Sequence, residues 1–192
     1  MPTHLVAATE FQTSTWSGGT STQLWIYPKG ASLAERDFDF RLSSAMVEAS
    51  GPFSDFSGYD RLLIVLSGQM SLTVDGVKGA AELGADTAPF EFAGASQIHA
   101  ELGSAAVEDF NLFVPGGVKK TAARHKLEPH QRWHQPNMPQ ALVYGIYLRQ
   151  GYLIAGENLI DSEYPLIISS TPLNLLTEAP SDFIAFAIGH RQ

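Results

Sequence analysis

Residues 38–76, FDFRLSSAMVEASGPFSDFSGYDRLLIVLSGQMSLTVDG, decide the fold class. Phe38, Phe40 and Leu42, with Met46 further on, alternate with Asp39, Arg41, Ser43 and Ala45. A period of two is that of a strand with one apolar face and one face that can present Arg41. Gly51-Pro52-Phe53-Ser54 breaks the pattern, and Leu62 to Leu66 then forms a short continuous apolar run. Ser67-Gly68 ends that run, which resumes as Met70, Leu72 and Val74 against Ser71 and Thr73 until the turn pair Asp75-Gly76. The stretch therefore reads as a strand, a Gly/Pro corner and a hairpin arranged around two arginines, Arg41 and Arg61.

The rest of the chain agrees with this β-rich reading. Its 192 residues suit one domain or two small lobes with a sizeable core. Seventeen glycines, eleven prolines and only 17% charged residues favour short strands and tight turns over helices. A formal net charge of -8 speaks against a nucleic-acid partner, whose phosphates attract basic surfaces. The absence of cysteine excludes disulfides and thiolate metal sites. The opening MPTHLVAATEF has neither a basic start nor an apolar core, and no apolar run approaches the ~18 residues of a membrane span. The expectation is a cytoplasmic protein with no membrane partner.

Along the chain, two strand-like pieces flank Trp16-Ser17-Gly18-Gly19-Thr20-Ser21. No lysine follows the glycines and no helical pattern continues them, so the segment reads as a turn packed close to Trp16, not a phosphate loop. Short strands are expected near Ala80–Leu83, Pro89–Phe92 and Gln97–Leu102. In the strand from Val107 to Val114, Phe110, Leu112 and Val114 share one face, and Asp109, Asn111 and Phe113 the other. That second face suits a partly polar interior. Residues 115–140 are locally basic and broken by Pro129, Pro136 and Pro139, which reads as a connecting segment. Strands resume at Ala141, and the second series echoes the first. LIVLSGQMSLTV is matched by YGIYLRQGYLIA, and Asp109-Phe110-Asn111 by Asp182-Phe183-Ile184. The echo predicts two tandem β units, 1–114 and 141–192, with Asp109 and Asp182 at equivalent strand positions. The second is too thin to close alone, so strands from residues 1–35 are expected to complete it.

Phe40-Arg41-Leu42-Ser43 with Ala45, Gly51-Pro52-Phe53-Ser54, Phe56, Gly58 and Arg61 also carry a family resemblance. Leu66-Ser67-Gly68, Trp16 with Gly18-Gly19, Pro89-Phe90-Glu91-Phe92 and Asp109-Phe110-Asn111 follow in the same order. In these motifs the chain resembles the HutD/Ves family of small bacterial proteins, well over roughly residues 16–114 and in outline beyond. It departs from the family around residues 17–25, where Gly18 stands near the place of a usual Asn and Leu24 or Trp25 near that of a Glu. The resemblance implies an all-β, cupin-like (RmlC-like jelly roll) fold. For function it implies either a role beside histidine utilisation, sensing an acidic intermediate such as N-formylglutamate, or a stress-linked role of the Ves kind.

A cupin-like fold raises the question of a metal, commonly held by a His-x-His pair. This chain has no such pair; His99 is alone, and His125, His130 and His134 fall in the proline-broken stretch, where a solvated loop is expected. No metal and no cofactor are expected. Neither is a Ser-His-Asp hydrolase, for want of a Gly-x-Ser-x-Gly elbow. The arginines remain. Arg41 can pair with Asp109 as a strut between strands, or grip a ligand carboxylate through a two-pronged bond, with Phe113, Trp16 or Trp25 as walls. The candidate binding set is Trp16, Arg41, Ser43, Arg61, Asp109, Asn111 and Phe113. Ile184 replaces Asn111 in the echo, so the polar interior is expected in the first unit only. The reading is a non-catalytic protein that senses or sequesters a small acidic metabolite. A lyase or isomerase and a structural or interaction module are the alternatives, and a homodimer is compatible with each.

Overall fold

The computed structural model describes residues 3–103 and 105–191, and every regular element there except the short 3-10 turn Ala8–Glu10 is a β-strand. The described residues fall into two compact units. One is Gln12–Gly117; the other joins the stretch up to Phe11 to the chain from Val118 onward.

The first unit holds an antiparallel six-stranded sheet in the order Gln12–Trp16, Gly19–Tyr27, Phe40–Val47, Val107–Pro115, Tyr59–Ser67 and Phe90–Ala93. Its second sheet runs Gly51–Pro52, Ile98–Leu102, Gln69–Val74 and Ala80–Gly84. Val47, Leu63, Val65 and Val107 of the first sheet meet Met70, Leu72, Ile98 and Ala100 of the second in one apolar core, the packing expected of stacked sheets. On the other face of the central strands, Leu42, Leu62 and Leu112 are buried as well. Apolar side chains on both faces explain why Leu62 to Leu66 reads as an unbroken run.

Register places the polar residues. Arg41 pairs with Phe113, which pairs on its far side with Arg61; Ser43, Asn111 and Leu63 form the next row, and Ala45, Asp109 and Val65 the one after. Because alternate side chains share a face, Arg41, Ser43, Asp109, Asn111 and Arg61 all point toward the space between the two sheets.

The second unit repeats the two-sheet plan. Its five-stranded sheet is His4–Val6, Leu166–Ser169, Ala141–Gln150, Ser181–Arg191 and Val118–Leu127; its four-stranded sheet is Arg132–His134, Asn174–Leu176, Leu153–Ala155 and Asn158–Ile160. Ile146, Leu148, Leu153, Ile160, Phe183 and Ala185 fill the space between them. The stretch 115–140 corrects the sequence reading. It is not a mere connection, since Val118–Leu127 pairs along its length with Ser181–Arg191. Its basic composition is that of an edge strand, where charge on the open side discourages further pairing. Pro129, Pro136 and Pro139 all fall between strands. Of the three histidines assigned to a solvated loop, His125 lies instead on this strand, its ring 4.7 Å from Trp133 and 5.4 Å from Phe183, and burial lowers its pKa. His130 and His134 are exposed.

Candidate functional site

The inner face of the first unit's larger sheet lines a partly open cavity of about 180 Å³. All seven residues of the candidate set line it. Arg41, Ser43, Arg61, Asp109, Asn111 and Phe113 are buried at its floor. Trp16, Leu33, Phe53 and Phe56 stand half-buried around it, with Ser14 and Ser54 exposed. Trp25, weighed as a wall, does not line the cavity.

The Gly18-Gly19 turn places Trp16. A Cβ on Gly18 would lie 2.1 Å from the Trp16 ring, and one on Gly19 1.9 Å from the Met46 carbonyl oxygen. Only glycines let the indole fold back over this turn while the backbone stays against its neighbour.

The expected strut between Arg41 and Asp109 is not what forms. Arg41 Nε donates to Gln23 Oε1 at 3.0 Å and its Nη1 to Ser43 Oγ at 3.1 Å. Arg61 is the residue linked to Asp109, and through an intermediary: Arg61 Nη2 donates to Asn111 Oδ1 at 2.8 Å, and Asn111 Nδ2 donates to Asp109 Oδ1 at 2.6 Å. The reason is geometric. Asn111 occupies the row between those of Arg61 and Asp109, so an amide bridges what a direct ion pair would have to span.

Arg61 is also wrapped in aromatic rings, its guanidinium carbon 4.6 Å from the Phe113 ring centre, 4.7 Å from Phe92 and 5.1 Å from Phe53. The ring faces offer it partial negative charge. Among the described residues that line the cavity, two buried donors, Arg61 Nε and Trp16 Nε1, find no acceptor. Sequence reasoning missed Gln23 and Leu33. Phe53 and Phe56 stand in the motifs that carry the family resemblance but were not named as cavity walls, and nothing marks Gln23 as a partner of Arg41 before the register is known.

Burial sets the electrostatics. It lowers both guanidinium pKa values to about 10, for Arg61 with Asp109 opposing and Arg41 adding to the shift. Burial, with the charge of Glu108 adding, likewise raises Asp109 to about 7, against the pull of Arg61 and the hydrogen bonds from Asn111 and the Ala45 backbone. Near neutrality the floor thus carries two cations and a carboxyl that is only partly ionised, which gives it a net positive charge.

Two-sheet units with a polar cavity on an inner face define a cupin-like protein. The HutD family profile matches residues 8–179, and the chain belongs to that family. An uncharacterized 21.2 kDa protein of the hutC 3' region in Pseudomonas putida is 39% identical over 110 residues, a stretch covering 56% of this chain and 56% of that relative. The match thus spans a little over half of the relative's length. Among solved structures, a conserved protein of unknown function from Pseudomonas aeruginosa superposes with a TM-score of 0.79 at 24% identity, over 99% of this chain and 100% of that one. HutD from Pseudomonas fluorescens gives 0.70 at 22%, over 98% and 100%. Bacterial pirin from Escherichia coli, in complex with nickel(II), gives 0.69 at 11%, over 96% and 98%. At these identities the likeness is one of fold.

A metal of the kind held by that pirin does not fit this cavity. Its ionisable lining is two guanidiniums and one carboxyl, a set that repels a cation. Among the described residues no three His, Cys, Asp or Glu side chains are grouped to hold one. Among the same residues no helix is long and apolar enough to cross a membrane.

Proposed function

We propose that this HutD-family protein binds a small acidic metabolite of the N-formylglutamate kind in the cavity of its first unit, as a sensor or sequestering protein and not as a catalyst. The observation that carries the reading is the imbalance of the cavity. Its unsatisfied groups are donors, Arg61 Nε and Trp16 Nε1, beside two buried guanidiniums and a single acid. Buried donors without acceptors are costly, and a carboxylate is the acceptor that satisfies several at once. The cavity of about 180 Å³ suits a small ligand whose carboxylate lies at the floor, its open side leaving room for the rest of the molecule. The N-formylglutamate assignment draws on the histidine-utilisation family.

Titration calorimetry with N-formylglutamate, glutarate and formate tests this on the wild type, Arg61→Met and Arg41→Met. Binding by wild type with a roughly hundredfold loss in Arg61→Met is expected, from charge-assisted bonds of about 1.5–3 kcal/mol each. No binding of any of the three, or equal binding by Arg61→Met, overturns the reading. Nuclear magnetic resonance spectra of the ligand that stay unchanged over hours with the protein separate binding from the lyase or isomerase alternative.

A further inference from the structure

Asp109 is the one acid among the residues lining the cavity, and it lies at the floor where an anion would sit. No direct ion pair neutralises it among the described residues; its Oδ1 accepts from Asn111, whose own oxygen is taken by Arg61, and its carboxyl also accepts from the Ala45 backbone N–H. The charged groups facing it are few. Arg61 and Arg41 come from the two flanking strands. Glu108, next to it in the chain and paired with Met46, points to the opposite face of the sheet, though its charge still pushes the Asp109 carboxyl up. The outer strands supply Ser14, Trp16, Ser21 and Gln23, and the corner supplies Phe53, Ser54 and Phe56. None of these ionises near neutrality. The opposing sheet turns apolar residues such as Leu72 and Ile98 inward.

A bound carboxylate and an ionised Asp109 would place two like charges in one small enclosure, which strongly disfavours ionising both. Building on the anion-binding reading above, we infer that the acidic ligand is taken up together with a proton, which resides on Asp109 while the ligand stays ionised. The cavity then grips an anion well below neutrality and releases it as pH rises. Burial already brings Asp109 to about 7, so the switch operates in the range a cell can visit. Asn111 makes it local, because the amide ties the carboxyl to the Arg61 fork without cancelling the cation.

Calorimetry with formate between pH 6 and 8.5, repeated in buffers of different ionisation heat, tests the coupling. Formate is ionised throughout this range. Wild type is expected to lose affinity by a factor approaching ~10 per pH unit above pH 7, and to take up nearly one proton per formate at pH 8. Asp109→Asn is expected to bind with flat pH dependence, no proton uptake and tighter affinity than wild type at pH 8. Formate binding by wild type with no pH dependence and no proton uptake overturns the coupling and leaves the anion site standing. Absence of binding of formate and N-formylglutamate at every pH overturns both. The proton count comes from wild type alone, so it decides the matter even if the variant does not fold.

Discussion

Asp109 and Asp182 begin similar tripeptides, Asp-Phe-Asn and Asp-Phe-Ile, each near the start of a strand with neighbours on both sides. They nevertheless face opposite ways. In the first unit Val107, on Asp109's side, belongs to the core between the two sheets. In the second unit that core takes Phe183 and Ala185, so Asp182 and Ile184 turn to the outer face. The expected equivalence of the two aspartates fails at this point, because an offset of one residue exchanges the faces of a strand. The consequences are chemical. Asp109 is enclosed without a direct counter-ion, whereas Asp182 is clamped by Arg124, whose Nε donates at 2.9 Å, and by Arg149 at 3.2 Å. Burial pushes Asp182 up, but the hydrogen bond and charge of Arg124, with Arg149 and Lys126, outweigh it and hold the pKa below the usual range. One unit keeps a polar floor and a cavity between its sheets; the other fills that space with hydrocarbon.

The first unit can be given the interior of the second. Arg61→Met with Asp109→Leu and Asn111→Ile removes the whole polar chain and leaves no member stranded. Replacing a buried polar network by apolar groups is often neutral or stabilising by about 1–4 kcal/mol. The variant is expected to fold with an unchanged or higher melting temperature and to lose all formate and N-formylglutamate binding in calorimetry. A variant that does not fold would show that the polar floor holds the sandwich together, contrary to a role in ligand binding.

Opposite pH signs offer the next test. Asp109 has a folded pKa above its unfolded value, so the folded state binds the extra proton between about pH 4 and 7, and stability falls across that window as pH rises. Asp109→Asn should therefore stabilise at pH 8, on the order of 2 kcal/mol, with the gain shrinking toward pH 4. Asp182 has a depressed folded pKa, so its contribution is present above the unfolded value and fades as pH falls through the folded one. Asp182→Asn should cost about 1–2 kcal/mol at pH 7 and less near pH 3. Denaturant melts at four pH values check both; the same sign for the two variants at pH 8 would erase the distinction between the aspartates.

The sequence is legible wherever side-chain period alone carries the information. Alternation along Phe40–Val47 and Val107–Pro115 put Arg41 with Ser43, and Asp109 with Asn111 and Phe113, on single faces, and the register shows the two groups to be neighbours. What period cannot give is the row each residue occupies. Choosing Arg61 over Arg41 as the partner of Asp109 needs the pairing of Asn111 with Leu63 and of Phe113 with Arg61. Gln23 is hidden for a related reason, since a register shift between Gln23 and Trp25 sets which side chains of that strand face Arg41. The edge strand Val118–Leu127 is hidden by its lysines, which local composition assigns to a loop.

The smallest expected effect separates packing from binding most cleanly, because each unit has a glycine beneath an aromatic ring. A Cβ on Gly18 would meet Trp16 at 2.1 Å, and one on Gly145 would meet Phe186 at 2.1 Å. Neither glycine has a left-handed backbone, so at both sites the ring alone stands in the way of alanine and must shift. The rings differ in freedom: Trp16 is half-buried beside the cavity, while Phe186 is fully buried. Gly145→Ala therefore has to force a packed core and should cost about 2–3 kcal/mol, whereas Gly18→Ala can swing the indole outward for about 1 kcal/mol. Formate affinity should stay unchanged in Gly145→Ala and weaken a few-fold in Gly18→Ala, with a red shift of the Trp16 emission obtained by difference from Trp16→Phe. If Gly18→Ala shifts the emission and leaves formate affinity untouched, the indole is only a cover over the turn, and the ligand is held by the floor alone.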